Sequence, residues 1–423
     1  MRKVSIFFFR RRLTQASHVF VLMLLATLFV FDARSATAWC QSEPESQADL
    51  NTPLTAPGGP PGLLDVQPVW QPAPIIVQGK AYLVYELLIT NFQNAEVTLE
   101  SLRADSGPTA VFNFDGDELQ RMVDLPRHYG TNLRKLTFAP LSARMLLLWL
   151  PFSSAQLPHR IIHRVTYSIS SKPDDTNAEH RVMNAETGPL HVDYKAAPIL
   201  IGPPLRGNNW LAANGPSNTS SHRRAFFVAN GRIYFPERFA IDFVQIGPDG
   251  KTCTGNPKDN HSYHAYGADI IAVADGRIVD ARSGMQDNVP GSTTGPITMA
   301  TIAGDYLIED IGHGAYAFYA HLKPGSIKVW VGAMVKRGQV LASLGNTGNS
   351  SEPHLHFHVI DTPTALSGNG LPYAFDRFSI VPGHVNESAS EVAFEYAPGK
   401  PLPVSNSLVL ENTLMDFPSS RQH

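Results

Sequence analysis

The sequence predicts an all-β protein, an N-terminal immunoglobulin-like sandwich followed by a second β-rich region that carries the chemistry. Three observations lead there. From about Leu63 to Ile201, short apolar runs alternate with turn residues, and no long helical period separates them. Beyond residue 218 lies another strand-rich stretch, which holds nine of the sixteen histidines. Three of those nine fall in the alternating run His354-Leu355-His356-Phe357-His358.

Taken in chain order, the first segment has Arg2, Lys3 and Arg10 to Arg12, then an apolar run from Val19 to Phe31, then Ala36-Thr37-Ala38. This order is that of a signal peptide over residues 1–38. At about 1.5 Å per residue the apolar run makes roughly 20 Å of helix, short of a hydrocarbon core of about 30 Å. No stable membrane span is expected once it is cleaved, and a retained anchor is the alternative. Residues 39–61, rich in Ser, Glu, Gln, Pro and Gly, bury too little to offset chain entropy and read as a disordered linker. The accessory sandwich is expected over 62–201, with strands at Ala81 to Thr90, Glu96 to Leu102, Arg144 to Leu150, His159 to Ile169 and Leu190 to Tyr194. It reads as a spacer or docking domain without chemistry of its own. Loop-rich residues 202–218 open the second domain, expected to run to 394, and residues 395–423 read as a tail.

A formal charge of −3 gives no basic field of the kind that holds nucleic acid or an anionic membrane surface. Two cysteines, Cys40 and Cys253, cannot make a disulfide framework, and they lack the close spacing of a thiolate zinc site. The chemistry therefore rests on histidine and carboxylate.

On a strand, residues i, i+2 and i+4 share a face, so His354, His356 and His358 line up while Leu355 and Phe357 point into a core. Neutral imidazole binds zinc and titrates near neutrality, so such a row can hold a metal and move protons. A second strand, Ala317-Phe318-Tyr319-Ala320, ends in His321. A third, Phe239-Ala240-Ile241-Asp242-Phe243-Val244, buries a carboxylate among apolar residues. Burying a carboxylate alone is costly. Metal ligation removes that cost, and an arginine partner such as Arg238 is the competing explanation.

These three strands together resemble the lysostaphin-type zinc metallopeptidases, which cleave peptide cross-links in bacterial cell walls. The resemblance extends to Tyr266 to Val279 and Gly332 to Leu341, and covers roughly residues 222–360. It implies a β-rich barrel-sandwich metallopeptidase domain with Zn2+ as cofactor. By motif, His356 is a zinc ligand, Asp242 the carboxylate ligand, and His354 and His321 the two catalytic imidazoles around a zinc-activated water. His358 is left with an orienting role, and His261, His264 and His313 with none.

The chain departs from the family at one ligand. A histidine is usual four residues before the aspartate, and Arg238 stands there. Asn230-Gly231 is a strong hairpin turn, and an in-register hairpin about it sets His222 opposite Phe239, beside Arg238. His222 is therefore the expected third protein ligand. The function expected is an exported zinc endopeptidase, periplasmic or extracellular, acting on peptidoglycan or another peptide substrate. The alternative is an inactive metallopeptidase-like module that binds the wall or regulates a partner hydrolase.

Overall fold

The computed structural model describes residues 64–107, 111–124, 136–153, 157–170, 181–193, 198–365, 367–386 and 393–419. The expected signal peptide and the expected linker both lie outside them. The described chain is all-β, with one short helix at Gly116–Met122 and two 3-10 turns. Among the described residues no helix is long and apolar enough to cross a membrane.

The accessory region is two antiparallel sheets face to face. The strand Lys80–Asn91 pairs with Ala143–Phe152 along its length, from Ala81 opposite Phe152 to Thr90 opposite Ala143. Its odd-numbered residues Leu83, Tyr85, Leu87 and Ile89 fill a core shared with Val97, Leu99 and Leu102 of Glu96–Asp105 and with Val165 of Arg160–Ser170. The ends of these strands fall within three residues of the expected ones. Of the expected fifth strand, Leu190–His191 is strand and Tyr194 lies outside the described residues.

Alternation sends the even-numbered residues of Lys80–Asn91 the other way. Val84 joins the core of the second region. Leu88 packs on a smaller cluster in which Met145 and Leu147 meet Phe226 and Phe235. This strand is therefore buried on both faces, which is why it reads as an almost unbroken apolar run. Between Val84 and Leu88 sits Glu86, a fully buried charge.

The second region is organised by an eleven-stranded sheet. At its centre Ile241–Gln245 pairs with Leu355–Ile360, which pairs in turn with Ala315–Ala320. Phe243, Phe357, Val359, Ala317 and Tyr319 point into one large core with Leu341 and Phe375. The domain boundaries differ from those expected at both ends. Residues 395–423 contain Leu402–Ser407 and Leu414–Phe417, two strands of this same sheet rather than a tail. Ile199–Ile201, expected at the end of the sandwich, pairs parallel with Tyr373 to Phe375 in it. Neither segment has the long apolar run that would have marked it, and both are short strands that take their place from tertiary pairing.

Candidate metal centre

Asp242 stands directly opposite His356 across the antiparallel pair, so the two side chains leave the sheet side by side. His354 and His358 share that face by period two, while Leu355 and Phe357 go into the core. Ala320 lies opposite His356 on the other flank. Simple alternation would aim residue 321 at the core. Instead His321 takes a left-handed backbone, with φ of 61°, and this break in the alternation turns its ring into the same pocket. The conformation is held by backbone bonds from His321 to Ala303 and from Gly345 to His321, each 3.1 Å. A tight approach of Gly304 to the 345–350 turn supports it, because a Cβ on Gly348 would sit 2.3 Å from the Gly304 nitrogen.

His222 arrives by a different route from the one its sequence position suggested. The hairpin about Asn230-Gly231 has the expected register, Phe227 opposite Tyr234 and Ala229 opposite Arg232. It ends after those three pairs, and His222 is not strand-paired with Phe239. It begins a 3-10 turn, His222–Arg224, after a loop whose Asn214 carbonyl accepts from His222 Nδ1 at 2.7 Å. From there His222 Nε2 reaches 3.4 Å from Asp242 Oδ2.

Distances and tautomers define what the cluster can do. His356 Nδ1 lies 3.0 Å from Asp242 Oδ1, and His354 Nε2 lies 3.4 Å from the same oxygen. The His222 and His356 rings meet edge to face at 4.7 Å, and those of His321 and His354 also lie 4.7 Å apart. Carbonyl oxygens only accept, so they fix the proton positions. His222 Nδ1 donates to Asn214, His354 Nδ1 to Glu352 at 2.8 Å, and His321 Nδ1 to Thr347 at 2.8 Å. In the neutral rings all three Nε2 atoms are then bare lone pairs, and two of them face a carboxylate at 3.4 Å. A lone pair set against an anion in a buried site is relieved by a proton or by a metal cation placed between them. Asn214 Nδ2 donates to Asp242 Oδ2 at 3.0 Å, which leaves most of the carboxylate's accepting capacity unfilled.

A ring nitrogen of each of His222 and His356 and an oxygen of Asp242 lie within 4.8 Å of one another. Zinc bonds of about 2.0–2.1 Å in a tetrahedron place ligand atoms roughly 3.3 Å apart. The donor set fits Zn2+, two imidazoles and one carboxylate with a fourth position left open. Holding the far nitrogen of a ligand ring on a carbonyl is also usual at such sites. His356 completes this from the other side, its Nε2 lying 2.9 Å from His358 Nδ1. His358 stacks on Phe318 at 4.8 Å, and its buried Nε2 has no partner among the described residues.

Electrostatics separates the two remaining imidazoles. Burial pushes the Asp242 carboxyl up, but His222 and His354 beside it, with hydrogen bonds from His354 and His356, hold it well below the usual carboxylate range. Burial pushes His354 down, yet the Asp242 carboxylate outweighs it and the ring is raised. His321 is pushed well down by burial, then by His354 and His356. His354 is thus the more basic of the two rings.

Arg238 does not face Asp242. Its Nε and Nη2 donate to the two oxygens of Glu86 at 2.8 Å each, and its Nη1 donates to the Gly370 carbonyl at 3.0 Å. The competing explanation for the buried Asp242 is therefore excluded by geometry. Arg238→His, which puts the family's usual residue in place, is expected to add no zinc ligand and to cost about 2–4 kcal/mol of stability through lost charged hydrogen bonds. Zinc stoichiometry beside a urea melt checks both.

The pocket around these residues is about 250 Å³ and is lined also by Asn214, Phe318 and Asn349. A larger cavity of about 590 Å³ on the sandwich includes none of the histidine cluster. Two of its arginines are already engaged, Arg103 with Asp105 and Arg164 with Glu186. His261, with its side chain largely exposed, pairs with Asp259, and His313 sits in a turn. Neither lines the histidine pocket.

The chain matches Peptidase family M23 over residues 262–367, a span that includes His321, His354 and His356. Over that span the chain resembles the lysostaphin-type M23 peptidases. Endolysin 2638A of Staphylococcus phage 2638A is 29% identical over 136 residues, 28% of this chain. The chain spans 28% of that endolysin's length. Among solved structures, the catalytic domain of the antimicrobial peptidase lysostaphin from Staphylococcus simulans is 21% identical, with a TM-score of 0.21, over 38% of this chain and 88% of that one. A zinc-containing peptidase from Vibrio cholerae is 17% identical, with a TM-score of 0.17, over 49% of this chain and 79% of that one. His222 and Asp242 both lie before the start of the M23 match, so their place in the site rests on the geometry above.

Proposed function

We propose that this M23 chain is a zinc-dependent endopeptidase that hydrolyses peptide bonds in peptidoglycan cross-links, with His222, Asp242 and His356 holding Zn2+ and His354 and His321 as the catalytic imidazoles. The observation that carries the reading is the buried Asp242 carboxylate, faced by two bare imidazole nitrogens at 3.4 Å and flanked by His356 at 3.0 Å. When bound there, zinc would polarise the scissile carbonyl and lower the pKa of a water towards neutrality. His354, its Nδ1 proton fixed on the Glu352 carbonyl, presents a bare Nε2 that takes a proton from the attacking water. Carrying that proton, His354 returns it to the leaving amine, and His321, across from it, is the second imidazole lining the reacting centre. His358 keeps the His356 ring turned so that Nδ1 faces Asp242.

Peptidoglycan as substrate is supported by the family, and action outside the cytoplasm by the leader read over residues 1–38. The alternative, an inactive wall-binding module, draws on Arg238 at the usual ligand position. Incubating the purified full chain with peptidoglycan separates the two readings. New amino groups should be released, the release should stop after chelation, and added zinc should restore it. Cleavage indifferent to chelator would remove zinc from the mechanism. A zinc-replete chain that binds peptidoglycan without releasing amines would establish the alternative.

A further inference from the structure

The segment that carries His222 is clamped to the accessory sandwich. Arg223, the next residue, is fully buried, and its guanidinium pairs with Glu86 on Lys80–Asn91. A second arm donates to the Tyr85 carbonyl at 2.9 Å and reaches the Leu148 carbonyl at 3.5 Å. On one side, Asn218 Nδ2 donates to the Leu147 carbonyl at 2.9 Å. On the other, Arg224 donates to the Arg121 carbonyl at 2.7 Å. Successive residues of a 3-10 turn are rotated by about 120°. Arg223 anchored in the sandwich therefore fixes the direction in which His222 leaves the turn, towards Asp242.

Glu86 is the hub of this clamp. It holds Arg223 and Arg238 at once, and all three side chains are shielded from solvent. Burial pushes its carboxyl up, but the two guanidiniums bring it down to about 2. The excess positive charge is faced by aromatic rings, Phe235 at 5.5 Å from Arg238 and 6.0 Å from Arg223, and Trp70 at 5.1 Å from Arg238. Arg238, standing where the family's usual ligand would be, secures the same carboxylate that anchors the neighbour of its replacement.

We infer that the accessory sandwich is a working part of the metal site, with Glu86, through Arg223, as the positioning residue for His222. The inference rests on the reading of His222 as a zinc ligand. Its test is a double-mutant cycle on zinc affinity in the full chain, by chelator competition, using His222→Ala, Arg223→Met and both together. Arg223→Met removes the anchor and leaves the Glu86–Arg238 pair intact. It should weaken zinc by about 10–100-fold, as loss of a ligand's support typically does. In the His222→Ala background the same change should weaken zinc no further, because both act through one imidazole. Arg223→Lys keeps the charge against Glu86 without the fork, and serves the same cycle if the methionine variant does not fold. Unchanged zinc affinity in His222→Ala would overturn the ligand set and the inference with it. A weakened His222→Ala beside an unaffected Arg223 variant would overturn the positioning role alone. So would an Arg223 effect of equal size with and without His222.

Discussion

Asp242→Ala is expected to purify with less than about one-tenth of the wild-type zinc and with no measurable endopeptidase activity, since a three-residue site reduced to two imidazoles loses its only anionic ligand. The carboxylate contacts His222, His354 and His356 within 3.4 Å, so its removal dissolves the electrostatic centre of the pocket. The strand Ile241–Gln245 keeps its pairing to Leu355–Ile360, because that pairing is backbone. The fold should therefore survive, which circular dichroism would show. Asp242→Asn refines the result. It preserves shape but not charge, and a similar loss of zinc would assign the effect to the anion rather than to a cavity. Wild-type zinc content in either variant would remove Asp242 from the ligand set.

His354→Ala is expected to act in the opposite way, with zinc retained and kcat lowered by about 10²–10⁴-fold, the range for a positioned acid or base. KM should change little, since the ring is assigned to proton transfer rather than ground-state binding. Its Nε2 touches the same Asp242 oxygen that His356 does, so geometry alone does not separate ligand from base. Steady-state kinetics beside metal analysis does. Loss of zinc in His354→Ala would make it a ligand and free His356 or His222 for another role.

Much of this was legible in the sequence, for identifiable reasons. Period-two alternation put His354, His356 and His358 on one face, and a buried aspartate in an apolar strand announced a partner. The register that sets Asp242 against His356 needed the fold, because it depends on pairing across more than a hundred residues. The hairpin register that points to His222 holds at Phe227 and Tyr234, but the strand stops short of it. A 3-10 turn and a loop carbonyl place the ring instead. Backbone carbonyls such as those of Asn214, Thr347 and Glu352 set the tautomers, and they carry no side-chain signal at all. Glu86 was hidden for a related reason. It sits in a run that reads as pure core, and its arginine partners lie 137 and 152 residues away. The last strands, Leu402–Ser407 and Leu414–Phe417, are short and partly polar, and only their neighbours in the sheet identify them.

The X-ray absorption spectrum of the zinc-loaded full chain tests the central claim most directly. A first shell of four nitrogen and oxygen atoms at about 2.0–2.1 Å without sulfur is expected, with the outer-shell scattering of two imidazoles, falling to one in His222→Ala. Two imidazoles persisting in that variant, or a sulfur neighbour in the wild type, would contradict a zinc held by His222, Asp242 and His356.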